Sequence, residues 1–380
     1  MREELSQLWR DPFGRALVSW LPLLLMGMLC WIFSASLARD LSIGLVDLDR
    51  SQLSRQLAYS LDASAGLKLA QQFDAIDEGA RALRGGDIYA LVVIPHHLER
   101  DAREGTQPQV TVFNNGQFIL IAKLVNSALA QVVGTLNGQV GVLQALAEGQ
   151  ALPGALGQAL PINNQITALY NLNSSYAQFL LGALLPAVWQ ILVVLYGLGA
   201  LARADRLGQC WAAQGVWRGM WRKLAPHWII GWGWGLGWSL MLFVVLGYPM
   251  QGSWLVLTLG LGLTTLACLA IGAGIYALLR DGARAISIAG ALTAPGFAFM
   301  GVTFPASAMG SFAQGWRSLL PISHYIEVQI GQANYGQPLA LAWGQLAPLL
   351  LFLPLFWWVA HRYRHEALAG DGRGQEQGPC

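Results

Sequence analysis

Long uncharged segments separate the charged residues of this chain. No Asp, Glu, Lys or Arg occurs in 16–38, 224–279, 285–316 or 328–361. A helix of roughly 20 apolar residues is long enough to cross the hydrocarbon core of a bilayer. Only 12% of the 380 residues are charged and 54% are hydrophobic, which is far from the composition of soluble proteins. The sequence therefore predicts an α-helical membrane protein.

The uncharged segments predict six transmembrane helices. The segment 224–279 is long enough for two, because Gly247 to Gly252 has the composition of a turn. A cleaved signal peptide is the alternative for the first segment, given the cleavage-like Ser36-Leu37-Ala38, but the apolar stretch is longer than a signal-peptide core. The predicted spans are 16–38, 178–202, 226–247, 254–279, 285–304 and 339–361.

Basic residues near the span ends predict the orientation, because the cytoplasmic side of a membrane protein retains Lys and Arg. They gather on one side, so both termini are predicted to be cytoplasmic. The opposite side has an uncharged loop at 247–253 and only Arg317 and Glu327 between spans five and six. The basic residues on the cytoplasmic side are Arg2, Arg10, Arg15, Arg203, Arg206, Arg218, Arg222, Lys223, Arg280, Arg284, Arg362 and Arg364.

Residues 39–175 resemble an ordinary globular domain inserted between spans one and two. Strand-like and helix-like segments alternate, with strands predicted at 42–48, 67–73, 89–94 and 109–113, and Ser51 is placed to cap a helix. A long amphipathic helix follows over 117–146, and 149–161 has the composition of a linker. We expect the apolar stripe of this helix to pack on its own domain; the alternative is packing on a partner subunit. The pattern predicts an α/β extracytoplasmic domain.

The sequence thus divides into three predicted regions. Residues 1–38 form an amphipathic helix and span one, and residues 39–175 form the extracytoplasmic domain. Residues 176–380 contain spans two to six, a cytoplasmic coupling loop at 203–223 and a segment at 305–338 with the interruptions of a re-entrant hairpin.

The chain lacks the residues that would let it supply its own energy. Its lysines are Lys68, Lys123 and Lys223, and none follows the glycine pattern of a phosphate-binding loop. The predicted spans also lack the buried ionisable residues that proton-driven transporters use as relays; His227 and His361 lie at span edges. Either the energy for transport comes from a partner, or the protein is not a pump. A net charge of +2 leaves no basic surface for nucleic acid.

No metal or cofactor site is predicted in this chain. The four cysteines are Cys30, Cys210, Cys268 and Cys380, and none has the spacing of a zinc ligand pair or lies in the predicted exported domain. His96 and His97 are adjacent, whereas two histidines that share a metal from one helix are four positions apart. We interpret this pair as solvated polar residues.

Two short amphipathic segments are candidates for functional surfaces. Aromatic and basic side chains alternate at helical spacing after span two, where they favour either an ATPase-coupling helix or an interfacial helix on lipid headgroups. An apolar face near the N-terminus favours an interfacial helix. The coupling residues are Trp217, Arg218, Trp221, Arg222 and Lys223, beside Trp211, Val216 and Met220; the interfacial residues are Leu5, Leu8, Trp9 and Phe13.

Several short motifs occur in the order found in one transporter family. They are Glu3 to Pro12 before span one, Val46 to Arg55, Leu169-Tyr170-Asn171, Thr303-Phe304-Pro305 and Leu320-Pro321-Ile322-Ser323-His324. Over nearly its whole length the chain resembles the membrane subunits of type-2 ABC exporters with a large extracytoplasmic domain between spans one and two. The resemblance implies pairing with a second permease subunit, as a homo- or heterodimer, and recruitment of cytoplasmic ABC ATPases that bind ATP and Mg.

The resemblance also implies a multi-pass protein of a bacterial inner membrane, with residues 39–175 in the periplasm and a periplasmic adaptor as a further candidate partner. One segment departs from the family, because Ala202 to Gly208 replaces an acidic Glu-Arg-Glu-x-Gly-Thr stretch. The departure predicts partial coupling and admits a better-matched second permease. Apolar walls suit a hydrophobic or amphipathic substrate. The alternative is a non-transporting sensor or assembly scaffold, which would need fewer spans.

Overall fold

The computed structural model describes residues 2–34, 40–64, 66–104, 106–114, 119–147, 149, 170–171, 175–209, 211 and 215–371. Among the features predicted from the sequence, the 36–38 cleavage-like site, most of the 149–161 linker, Cys210 and Cys380 lie outside these residues. Two compact units form the chain, one of Met1–Ser36 with Leu169–Cys380 and the other of Leu37–Ala168.

The first unit begins with three short helices: α1 (Arg2–Arg10), α2 (Pro12–Val18) and α3 (Trp20–Ile32). The axes of α2 and α3 differ by 41° across Ser19. Pro22 has no N–H to donate to the carbonyl of Val18, and the Nε1 of Trp234 donates to that oxygen instead, at 2.9 Å. Tyr196 donates to the neighbouring carbonyl of Leu17, at 3.1 Å. Side chains from elsewhere in the unit therefore complete the hydrogen bonds of the bend.

The second unit contains a four-stranded sheet with strand order β2-β1-β3-β4. The central strand β1 is parallel to β2 and β3, and β3 is antiparallel to β4. Ser51 caps the first helix as predicted, since its Oγ accepts from the N–H of Ser54 at 3.1 Å. The elements are β1 (Leu41–Asp47), α4 (Gln52–Asp62), β2 (Leu67–Phe73), α5 (Ile76–Gly85), β3 (Ala90–Ile94), α6 (Leu98–Arg103), β4 (Thr111–Asn114) and α7 (Ile119–Ala147).

The long helix α7 contributes to the apolar core on one face of this sheet, next to α4. Its Val125, Leu129 and Leu136 are buried in the same apolar core as Ile43 and Leu57. The apolar stripe of α7 thus packs on its own domain, as its spacing predicts.

Carboxylates organise the loops at one end of the sheet. Glu99 accepts hydrogen bonds from the N–H groups of Gln52 and Leu53 at the start of α4, and Asp49 accepts from the N–H of Glu99 at 3.1 Å. Burial acts to raise the pKa of Asp49, but hydrogen bonds from Ser51 and from backbone N–H groups outweigh it and lower the pKa. Burial likewise acts to raise the pKa of Glu99, but hydrogen bonds from backbone N–H groups and the nearby positive charge of Arg103 outweigh it and lower the pKa.

The rest of the first unit is helical. Its elements are α8 (Tyr176–Arg206), α9 (Val216–Leu240) with a π-helical turn (Met241–Val245), α10 (Trp254–Leu279), α11 (Gly282–Thr293), α12 (Gly296–Phe299), a 3-10 turn (Ala306–Ala308), α13 (Ser311–Ser318), α14 (Pro321–Ala333), α15 (Leu339–Leu350) and α16 (Pro354–Asp371).

Close approach of backbones holds α8 against α10. A Cβ on Gly272 would lie 2.0 Å from the carbonyl oxygen of Val194, and one on Gly197 would lie 2.5 Å from that of Leu269. Side chains cannot be accommodated at either position, so this contact requires glycine, as is common where membrane helices pack.

Within the described residues, four helices are long and apolar enough to cross a membrane, or five if the bent α2–α3 pair counts as one span. The four are Tyr176–Arg206, Val216–Val245, Trp254–Leu279 and Leu339–His365. The predicted span 285–304 is not among them, because α11 ends at Thr293 and Pro295 separates it from the single turn of α12. The count of six spans and the re-entrant hairpin at 305–338 stay predictions.

Candidate functional site

A buried cluster of charged side chains joins the N-terminal helices to α8 and α9. Glu4 comes from α1, Asp11 from the α1–α2 junction, Arg203 from the end of α8, and Lys223 and His227 from the first half of α9. Four of them are almost completely buried, with exposed fractions of 5% for Glu4, 4% for Arg203, 8% for Lys223 and 1% for His227. We call these five residues the charge cluster.

Two carboxylates and two cations balance each other in the charge cluster. The Nζ of Lys223 lies 2.5 Å from Oε2 of Glu4 and also contacts the side-chain oxygen of Gln209. The Nη1 of Arg203 lies 3.1 Å from Oδ2 of Asp11, and its Nη2 lies 3.8 Å from Oε1 of Glu4. Burial of an ion is costly unless its charge is paired, so this arrangement requires all four partners.

The hydrogen-bond pattern also fixes the proton on His227. Its Nε2 lies 3.0 Å from Nη2 of Arg203, and a guanidinium can only donate, so Nε2 accepts. Its Nδ1 then carries the proton, which it donates to the carbonyl of Lys223 at 2.9 Å. His227 therefore acts here as a neutral hydrogen-bonding bridge within the charge cluster.

A second set of contacts secures the other side of the end of α8. The Nη1 of Arg280 lies 2.8 Å from Oδ2 of Asp205, and its guanidinium lies 3.7 Å from the centre of the Tyr363 ring. The hydroxyl of Tyr363 also reaches Asp205, at 3.4 Å. These contacts connect α8, the α10–α11 junction and α16.

Both sets of contacts include residues of the segment Ala202 to Gly208. This is the segment in which the sequence departs from the family motif. Arg203 belongs to the charge cluster and Asp205 pairs with Arg280. The sequence indicated no such role, because Asp11 lies 192 positions before Arg203 and nothing in either local pattern specifies the pairing.

Four of the five predicted coupling residues lie together on the exposed side of the first turns of α9. Trp217, Arg218, Trp221 and Arg222, with Ala225, line an open groove of about 440 Å³. Trp217 and Trp221 are 46% and 43% exposed. We call the four predicted residues of this groove the α9 outer face.

The remaining predicted coupling residue lies on the opposite side of the helix. Lys223 points inward to Glu4, and Met220 is also buried. Trp211 is buried as well, with its ring centre 4.6 Å from that of Tyr363. The predicted aromatic and basic face is therefore divided between an inner side that holds α9 in place and the α9 outer face.

The predicted coupling loop is shorter than the interval 203–223. Arg203 to Arg206 belong to α8, and Val216 onward belongs to α9, which continues into a candidate membrane span. The α9 outer face therefore lies at the start of the same helix that continues, through Pro226, into this candidate span.

The N-terminal helices α1 and α2 also have a buried and an exposed side. Leu8 is buried and Leu5 packs partly against the same core, whereas Trp9 and Phe13 are 53% and 50% exposed. Leu8 thus lies on the same side of α1 as the charged Glu4, and the two exposed aromatics remain available for a membrane surface.

His96 and His97 lie before α6, where His97 adopts a left-handed backbone with φ of 63°. Their ring centres are 6.2 Å apart. Over the described part of the chain, no three His, Cys, Asp or Glu side chains come together as metal ligands.

The first unit has several apolar helices that are long enough to cross a bilayer, and buried ion pairs join the ends of two of them to the N-terminal helices. These features define a multi-pass helical membrane protein. A family model described as "ABC-2 family transporter protein" matches residues 15–362, and the chain belongs to this family. It is a type-2 ABC permease, the membrane component of an ABC transporter rather than its ATPase, and the family implies an ABC ATPase as partner. A search of curated proteins found no significant match.

Proposed function

We propose that this permease couples ATP hydrolysis in a separate cytoplasmic ABC ATPase to export of a hydrophobic or amphipathic substrate. The α9 outer face carries the proposal. It offers two half-exposed tryptophans and two arginines at the start of a continuous helix, which is the composition of a protein docking site.

The charge cluster supports the mechanical part of this proposal. A partner that pushes on the α9 outer face moves Lys223 and His227, which are bonded to Glu4 and Arg203. The N-terminal helix and the end of α8 must then move together with α9, or two buried ion pairs must separate. We infer that ATPase closure shifts these three helix ends as one body.

The proposal includes a membrane arrangement. In it, both termini and the α9 outer face are cytoplasmic, residues 39–175 are periplasmic and the protein lies in a bacterial inner membrane. It works as a dimer with a second permease subunit, either a copy of itself or a different chain, and a periplasmic adaptor is a candidate partner of the exported domain. The competing function is a sensor or assembly scaffold that displays this domain without transport.

One experiment separates transport from a sensor or scaffold function. It measures ATP hydrolysis by the partner ATPase with and without the full-length permease reconstituted in nanodiscs. We expect the permease alone to hydrolyse no ATP and the assembled complex to hydrolyse it at a rate that depends on the permease. As a control, the partner ATPase carries a substitution of its phosphate-loop lysine, which removes hydrolysis. If the permease leaves the hydrolysis rate unchanged, the sensor or scaffold function is favoured.

A further inference from the structure

Two histidines lie four positions apart on the exposed side of the C-terminal helix α16. His361 and His365 are separated by about one helical turn, which places their side chains on the same face of the helix. Both residues are exposed, and they lie at the end of the candidate span Leu339–His365. Ions in the aqueous phase can therefore reach them. We call these two residues the α16 histidine pair.

The two imidazoles approach each other through the same ring nitrogen. The Nε2 of His361 lies 3.2 Å from the Nε2 of His365, and the ring centres are 4.4 Å apart with planes inclined by 58°. Two imidazole nitrogens that bind one Zn²⁺ at about 2.0–2.1 Å, with a tetrahedral angle between them, are about 3.3 Å apart. The observed separation matches that of two ligands sharing one ion.

A hydrogen bond between two neutral rings is the other interpretation of this distance. It requires one ring to carry its proton on Nε2 and the other on Nδ1, because a neutral imidazole has a single N–H. Water competes for both groups at an exposed position, so the net contribution of such a bond to stability is small. A metal ion instead uses the lone pairs of both Nε2 atoms at once.

The indole of Trp357 orients one of the two rings. It lies one turn before His361, and the two rings are stacked with centres 5.2 Å apart and planes inclined by 29°. Trp357, His361 and His365 thus follow each other along one side of α16. Stacking restricts rotation of the His361 ring, which lowers the conformational cost of presenting its Nε2 to an ion.

The opposite side of α16 is fixed within the first unit. Val359 and Tyr363 are buried, and the ring of Tyr363 lies against the guanidinium of Arg280. The hydroxyl of Tyr363 reaches Asp205 as well. Because the helix is held from its inner side, the spacing of the two exposed histidines is set by a packed helix rather than by a loop.

Two arginines near the α16 histidine pair limit its affinity for a cation. Arg362 lies on the neighbouring strip of the helix, with its guanidinium 5.9 Å from the centre of the Trp358 ring. Arg364 is exposed, so water and salt screen its charge. Among the described residues, no third His, Cys, Asp or Glu completes a set of ligands with the pair. The geometry therefore favours a site in which water fills the remaining positions.

We propose that the α16 histidine pair binds one divalent transition-metal ion, represented by Zn²⁺, through its two Nε2 atoms. Imidazole is a good ligand for Zn²⁺, Cu²⁺ and Ni²⁺, whereas Mg²⁺ and Ca²⁺ prefer oxygen ligands. The bound ion ties together two successive turns on the exposed side of α16. The site goes beyond the proposed transport function and does not depend on it.

Calorimetric titration of Zn²⁺ into the untagged full-length protein, in phosphatidylcholine nanodiscs, measures the site against empty nanodiscs as the blank. We expect one Zn²⁺ per chain and no competition from excess Mg²⁺. His361→Gln and His365→Gln should each weaken binding by about tenfold or more, because two ligands held on one helix bind an ion together. If the wild type binds no Zn²⁺, or either variant binds it as tightly as the wild type does, the proposal is wrong.

The matched control removes the other exposed histidine pair, which lacks the helical spacing. His96→Gln with His97→Asn should bind Zn²⁺ as the wild type does; asparagine is chosen because His97 has a left-handed backbone. Loss of Zn²⁺ binding in this control variant would place the site in the second unit and overturn the proposal.

Hydrogen exchange supplies a second measurement, which also shows whether each variant keeps the fold of α16. Without metal, the peptide covering 357–365 should exchange alike in the wild type and in His365→Gln. Zn²⁺ should slow exchange of this peptide in the wild type and leave His365→Gln unchanged, because an ion that binds the folded helix stabilises it. Binding of Zn²⁺ without slower exchange of this peptide in the wild type would contradict a site on α16.

Discussion

The ammonium group of Lys223 lies 2.5 Å from a carboxylate oxygen of Glu4, although 219 positions separate the two residues. Both side chains are buried, so the pair holds the first helix of the chain against the beginning of α9. This contact connects the N-terminal helix to the helix that carries the α9 outer face.

Lys223→Met should destabilise the permease by about 3–5 kcal/mol, because it leaves Glu4 as a buried charge without its closest partner. Adding Glu4→Gln should recover most of the lost stability, since the second substitution removes the uncompensated charge. A double-mutant cycle on thermal unfolding of the protein in detergent measures the coupling. Additive effects of the two substitutions would show that the pair is not coupled.

The second prediction separates ATPase coupling from lipid contact at the α9 outer face. Trp217→Ala with Trp221→Ala removes two apolar anchors, and Arg218→Glu with Arg222→Glu inverts the charge. If the surface docks an ATPase, either pair should reduce permease-dependent ATP hydrolysis about tenfold or more while dimer formation persists. Trp343→Ala, at an exposed tryptophan elsewhere in the unit, is the control.

If ATP hydrolysis is unchanged in both double variants, the α9 outer face does not couple to an ATPase, and the remaining interpretation is an interfacial helix that contacts lipid headgroups. Because Ala202 to Gly208 departs from the family motif, we expect partial coupling, with a second permease contributing the rest. A purified homodimer that stimulates hydrolysis fully despite both pairs of substitutions would contradict this expectation.

The third prediction concerns topology. In a variant without the native cysteines, a cysteine replacing the exposed Arg81 on α5 should react with an impermeant thiol reagent applied to spheroplasts. A cysteine replacing Ala283, exposed at the start of α11, should react only after the membrane is permeabilised. The distribution of Arg and Lys motivates this orientation. The opposite labelling pattern would invert it.

The fourth prediction concerns the bend between α2 and α3. Trp234→Phe removes the donor to the carbonyl of Val18 and should cost about 1–3 kcal/mol, the range for an unpaired buried group. Pro22→Ala restores a backbone N–H for that carbonyl, so it should recover stability in the Trp234→Phe background. Trp343→Phe serves as a control in the same unfolding measurements. Equal effects of Pro22→Ala in both backgrounds would argue against this compensation.

The fifth prediction is an acid sensitivity of the sheet-containing unit. The pKa values of Asp49 and Glu99 are lowered in the folded state, so the unfolded chain binds protons more readily. Their contribution to stability is complete above the ordinary carboxyl range of about 4 and is lost as pH falls below it. Hydrogen exchange of the first turns of α4 and α6, corrected for intrinsic rates, should accelerate there. If the Asp49→Asn, Glu99→Gln double variant shows the same acid dependence of exchange as the wild type, these two carboxylates are not its cause.

The sequence by itself determined those features that depend on neighbouring residues. Helix α10 lies at Trp254–Leu279, where the charge-free segment 254–279 predicts a span, because the hydrophobic length of a helix is a property of one continuous segment. The cap at Ser51 and the strand at Leu41–Asp47 are local in the same sense. Membership in a transporter family followed from several short motifs in a fixed order.

The tertiary structure decided which polar groups meet. Lys223 has the same local pattern as Arg222, yet it turns inward to Glu4, while Arg222 stays exposed. Gln329 shows nothing unusual in its own segment, yet its Nε2 donates to the carbonyl of Gly182 on another helix, which Pro186 deprives of its helical partner. Pairings of this kind join residues far apart in the chain and result from the packing of whole helices, so no local pattern of residues specifies them.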